Sequence, residues 1–121
     1  MIPGSPARPR HTLPAERRIR RKLEFDAIHA RGSRLGNGHF GMTARANDSG
    51  GPRLGLAVSI KVAGNGVERN RIRRLIRESF RLSQHELPAV DLVISARHRA
   101  RGATGSELRA SLAELWSRLK Q

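Results

Sequence analysis

The chain has 121 residues, no cysteine, and 24 Lys+Arg against 10 Asp+Glu, which gives a formal net charge of +14 and a pI near 12. That length makes one domain with a modest core; the missing cysteine excludes disulfides, thiolate metal sites and a Cys nucleophile, and no apolar run approaches membrane-spanning length. So large a positive excess costs self-repulsion in the folded state, so a polyanionic partner is expected.

Residues 1–14 hold Pro3, Pro6, Pro9 and Pro14 with Gly4, Arg8, Arg10 and His11 and show no periodicity. They read as a disordered basic arm preceding a single RNA-binding domain at 15–121. The N-terminus lacks the hydrophobic segment of a secretory signal, and a cytoplasmic protein is expected. Basic residues dominate from Arg17 to Lys22. Leu23, Phe25, Ala27 and Ile28 then predict a short helix ending near Gly32, a suitable C′ residue, with His29 one turn after Phe25.

His39 to Arg45 alternates as a half-buried strand with Phe40, Met42 and Ala44 on one face. Residues 47–52 (Asn-Asp-Ser-Gly-Gly-Pro) signal a turn. Leu54, Leu56, Val58 and Ile60 alternate as a second strand, and the pair reads as an antiparallel hairpin. Gly64-Asn65-Gly66 leads into a helix but departs from a dinucleotide fingerprint, because Arg69 stands at the third glycine position. The glycines instead suggest a tight turn and bare N–H groups able to accept one phosphate.

Ile72, Leu75, Ile76, Ser79 and Phe80 make one apolar stripe on the helix that follows. At about 100° per residue, Asn70, Arg73, Arg74, Arg77 and Arg81 gather on the other side. Six Arg and two Glu lie between Val67 and Leu82, a lopsided balance for a face that is merely solvated. The arginine fork suits phosphate and base edges. Arg69, Arg73, Arg74 and Arg77 are therefore candidates for phosphate contacts, and Asn70 and Arg71 for bonds to base or sugar. The stripe is narrow and committed to a core, which argues against a membrane-surface helix.

Pro88 closes this region. Val90 to Ala96 is nearly continuous apolar sequence, as in a strand buried on both faces. Arg97, His98, Arg99 and Arg101 form a further basic cluster. Thr104 and Glu107 have capping-box spacing, and Leu108, Leu112, Leu115, Trp116 and Leu119 form the stripe of a last helix, with Trp116 in the core. The expected fold is an α/β (α+β) two-layer sandwich, one mixed sheet of about four strands with helices packed on it, in the order α-β-β-(β)-α-β-α.

Residues 68–81, Glu-Arg-Asn-Arg-Ile-Arg-Arg-Leu-Ile-Arg-Glu-Ser-Phe-Arg, resemble the arginine-asparagine-arginine helix of the bacterial ribonuclease P protein subunit. Leu54 to Ser59 with Lys61, residues 84–91, and Arg17-Arg18-Ile19 with Phe25 are similar to the flanking segments, so the resemblance spans roughly residues 16 to 119. It implies a left-handed strand–helix–strand crossover, where general rules favour a right-handed one. It also implies a protein that binds a catalytic RNA, one protein per RNA, and the 5′ leader of precursor tRNA, with no DNA or membrane partner. The partner RNA would use Mg²⁺ for the chemistry, and the protein would bind no cofactor or metal itself. Positions implied for the catalytic RNA are Lys61, Arg69, Asn70, Arg71, Arg73, Arg74 and Arg77. Those implied for the leader, in a cleft between the first helix and the sheet, are Arg17, Arg18, Phe25, His29 and Phe40.

The chain departs from the family pattern at His29 and Thr43, where aromatics are common, and at Ile60-Lys61, where a Lys pair is frequent. A ribosomal protein and a protein-only nuclease are the competing readings. A helix-turn-helix DNA binder fits poorly, since a strand follows the basic helix. For a nuclease the acidic residues are too scattered: Glu24 and Asp26, the closest pair, point to different sides of a helix. The five His are equally dispersed, and no residue is expected to be catalytic.

Overall fold

A computed structural model of the chain describes residues 18–19 and 22–120, with the side chains of Leu23, Phe25, His29, Ala30 and Arg31 outside the description. The basic arm at 1–14 and Arg17 also lie outside the described residues. The order is α1 (Lys22–Arg31), β1 (Ser33–Gly36), β2 (Phe40–Ala46), β3 (Arg53–Ala57), α2 (Ile60–Ala63), α3 (Gly66–Ser83), β4 (Val90–Ala96) and α4 (Gly105–Leu119), with single 3-10 turns after α3 and β4.

The sheet is mixed, with strands in the order β1-β2-β4-β3. β1–β2 and β2–β4 are antiparallel, while β3–β4 is parallel. The hairpin expected between β2 and β3 is therefore absent, because β4 lies between them. β4 is apolar on both faces, and such a strand gains most from an interior place in the sheet. The true hairpin is β1–β2, which uses a short strand at 33–36 that sequence periodicity is too brief to reveal. The parallel pairing makes α2 and α3 the crossover between β3 and β4. The second strand also ends earlier than alternation suggests. Ser59 accepts a hydrogen bond from Val62 N and caps α2, leaving Ile60 in a helix and 54% exposed.

One sheet face carries the main core, where Phe40, Met42, Leu54, Leu92 and Ile94 meet Ile72, Leu75, Ile76 and Phe80 of α3 and Leu108, Leu112, Leu115 and Trp116 of α4. Trp116 packs edge-on to Phe80 at 6.0 Å between ring centroids, and its Nε1 donates to Ser79 Oγ at 2.8 Å. A buried indole N–H left unmet would be costly, so the hydroxyl on the apolar stripe has a defined purpose. Thr104 and Glu107 form the expected capping box of α4.

The opposite sheet face is covered more lightly. Ile28 of α1 and Ile19 pack on Val93, and Ile19 N donates to Leu54 O at 2.7 Å. Arg53 ties α1 to the sheet, bonding Glu24 at 2.9 Å and Asp91 at 2.8 and 2.9 Å. Burial pushes the Asp91 carboxyl up, but hydrogen bonds from Arg53 and Asn47 outweigh it and hold it below its usual range.

Candidate nucleic-acid interface

α3 begins at Asn65, whose side chain accepts from Glu68 N at 2.8 Å. Of the N–H groups expected to take a phosphate, that of Glu68 is thus already capped, and the Glu68 carboxylate adds negative charge there. From this start the helix turns its apolar stripe to the core and its arginines outward in two distinct settings.

Arg69, Arg73 and Arg77 stand one turn apart on one flank of α3, with Arg69 at the exit of β3. Arg69 Nε donates to Val58 O at 2.7 Å, which fixes its stem against the exit of that strand. Arg73 is half-buried, and its Nε is buried with no hydrogen-bond partner. Burial, then the charges of Arg77 and Arg69, push its pKa down. It remains charged, since a guanidinium is not deprotonated in proteins. Arg74, Arg77, Asn70 and Lys61 are exposed. Among the described residues, none of Arg69, Arg73, Arg74 and Arg77 takes part in an ion pair. Like charges one turn apart repel, and an anion along the helix would relieve that repulsion. Arg81 belongs less to this face than its spacing suggests, for it is half-buried and its Nε is also enclosed.

Arg71 differs from its neighbours. Its Nε and Nη2 donate to the two Glu68 carboxylate oxygens at 2.7 and 2.8 Å, and Nη2 also reaches Ala103 O at 2.9 Å. Glu68 accepts in addition from Gly102 N at 3.1 Å, and Arg101 donates to the carbonyls of Lys61 and Val62. These contacts clasp the loop before α4 to the start of α3. They commit Nε and Nη2 of the Arg71 fork to the protein, and leave Nη1 for the base or sugar contact expected of it. An i,i+3 Glu–Arg pair is readable in the sequence, but the carbonyl and amide from residues 102–103 are not.

The leader positions divide differently. Phe40 is fully buried in the main core and presents no ring face to a base, so its expected stacking role is overturned. It shares a sheet face with Met42 and Ala44, the side that α3 and α4 cover. Arg18 is exposed and bridges to Leu54 in parallel. Phe25 and His29 lie in α1, with their side chains outside the described residues. Thr43 is buried at 6% and faces α1, with its Cγ2 close to Gly32.

Beside α1 the same sheet face holds a cavity of about 330 Å³, lined by Arg34, Leu35, Gly41, Met42, Thr43, Ser95 and Arg97. Arg34 pairs with Thr43 across β1–β2, and Gly36, Gly41 and Ser95 stand in one row across β1, β2 and β4. Sequence reasoning singled out Thr43 and Arg97 but missed this grouping. Glycines within strand patterns were the available signal for a close approach.

A family model described as Ribonuclease P matches residues 13–120. The ribonuclease P protein component of Escherichia coli O157:H7 is 40% identical over 106 residues, covering 88% of this chain and 89% of the relative. That of Photobacterium profundum is also 40% identical over 106 residues, covering 88% and 90%. The fold is similar to the Staphylococcus aureus RNase P protein, with a TM-score of 0.81 at 32% identity over 86% of this chain and 95% of that one. The RNase P protein from Thermotoga maritima gives 0.77 at 28% identity over 86% and 98%.

Proposed function

The chain belongs to the ribonuclease P protein family, and from that premise we propose that it is the protein subunit of a bacterial ribonuclease P, binding the catalytic RNA and the 5′ leader of precursor tRNA. One observation carries the reading: Arg69, Arg73, Arg74 and Arg77 crowd one helix without a carboxylate partner among the described residues. A phosphate backbone supplies the missing anions, and its counterions are released when it docks. The rigid core behind the helix holds these side chains in register, so little order has to be imposed on binding.

The chemistry belongs to the RNA with its Mg²⁺, and the protein acts through charge. Glu68, Glu24 and Asp91 are engaged by Arg71 and Arg53, and carboxylates so committed hold the fold together instead of presenting a cation to a scissile bond. Placed between two RNAs, the positive face screens their repulsion and lowers the Mg²⁺ they need to associate. One protein per RNA suffices for this.

The test is reconstitution. The purified chain, added to ribonuclease P RNA at a Mg²⁺ concentration too low for the RNA alone, should restore removal of the 5′ leader. No restoration would overturn the reading, and leader removal by the protein without RNA would overturn the assignment of chemistry to the RNA.

A further inference from the structure

α2 is a single turn of four residues between the exit of β3 and the start of α3. So short a helix is unstable by itself and takes its geometry from its surroundings. At its start Ser59 caps Val62 N, and at its end Gly64 N donates to Ile60 O at 2.7 Å. Among the described residues no backbone N–H reaches the next two carbonyls, those of Lys61 and Val62. That is the ordinary deficit of a helix C-terminus. Arg101 meets both, with Nη2 on Lys61 O at 2.7 Å and Nε on Val62 O at 3.1 Å.

Two glycines allow this contact. A Cβ built on Gly64 would stand 3.1 Å from Arg101 Nε and 3.3 Å from its Cζ, so the bare backbone there lets the guanidinium close on the turn. Gly102, at a φ of 78° that favours glycine, aims its N–H at Glu68 at 3.1 Å, and Ala103 O accepts from Arg71 at 2.9 Å. Three consecutive residues, 101 to 103, thus tie α2 and the start of α3 to one loop. Arg101 and Lys61 are both exposed, and neither forms an ion pair among the described residues. Two of the three guanidinium nitrogens of Arg101 serve backbone carbonyls, whereas the ammonium of Lys61 is left for an outside anion.

We propose that Arg101 is a positioning residue for RNA binding: its fork braces the single turn of α2 against the loop before α4 and so holds Lys61 in place to meet a phosphate of the catalytic RNA. Order set before the RNA arrives does not have to be imposed on binding. This role rests on the reading above that α2 and α3 carry the RNA-binding face. Arg101 acts through Lys61 and makes no phosphate contact of its own.

The experiment is a double-mutant cycle on the full chain, read as affinity for ribonuclease P RNA well below the melting temperature. Lys61→Ala and Arg101→Ala should each weaken binding about threefold, the scale of one exposed charge contact. The double variant should bind no more weakly than Lys61→Ala alone, because Arg101 has nothing left to position. Arg101→Lys keeps the charge but not the fork, so it should bind as Arg101→Ala does. Thermal melts of all variants should coincide with wild type, since both side chains are exposed. Losses that multiply to about ninefold in the double variant, or wild-type affinity in Arg101→Lys, would make Arg101 a phosphate contact and overturn the positioning role. Unchanged binding in Arg101→Ala or in Lys61→Ala would overturn it too. Arg74→Ala serves as the control: if it and Lys61→Ala both bind RNA as wild type does, the underlying reading of the face fails as well.

Discussion

Glu68 and Arg71 face each other one turn apart on α3 through two parallel hydrogen bonds of 2.7 and 2.8 Å, and both also hold the loop before α4. The pair sits within a run of arginines but acts inward. Arg71→Ala should lower stability by about 1 kcal/mol, the scale of a half-exposed charged pair that also holds a carbonyl. RNA affinity should change less than for Arg74→Ala. Arg71→Lys should not restore the stability, because a lysine ammonium cannot serve the fork and Ala103 O together. Thermal melts paired with salt titrations of RNA binding separate the two effects.

The same pair sets an acid limb. Hydrogen bonds from Arg71 and then Gly102 N lower the Glu68 pKa from 4.5 to about 2. A carboxylate whose pKa is depressed by folding adds stability above its unfolded value and loses it as pH falls through the folded one. The contribution of Glu68 should thus be complete above pH 4.5 and disappear toward pH 2. Urea midpoints measured across that window should fall less steeply for Glu68→Gln than for wild type.

Phe40 should behave as a core residue. Phe40→Ala should cost about 3 to 5 kcal/mol, while Phe40→Leu should fold and bind leader-bearing precursor tRNA as wild type does. A leader-specific loss in the folded Leu variant would put Phe40 back in the cleft.

The basic helix, its apolar stripe, the capping box and the double-sided strand are legible because each rests on a local period or spacing. Val90 to Ala96 even implies its own interior place in the sheet, although that alone does not give the strand order. The β2–β3 hairpin is a false reading because a turn signal says that the chain reverses, not that the two strands pair. Phe40 and Thr43 lie on opposite faces of β2, and the alternation places Phe40 with Met42 and Ala44 without saying which face stays open. Only the positions of α3, α4 and α1 decide that. The cavity is a product of long-range register, in which Gly36, Gly41 and Ser95 meet from three strands. The commitment of Arg71 likewise depends on residues 102 and 103, more than thirty positions away.

The central claim is that the outer arginines of α3 meet RNA phosphates, and the salt dependence of binding tests it most directly. Wild-type protein and the Arg74→Ala/Arg77→Ala variant are titrated against ribonuclease P RNA over a range of KCl, with thermal melts alongside. Both arginines are exposed, so the melts should coincide. The slope of log K against log salt should become shallower by roughly 0.7 to 0.9 for each phosphate that the variant no longer neutralises. An unchanged slope with normal affinity would contradict the claim and move the RNA to another face of the protein.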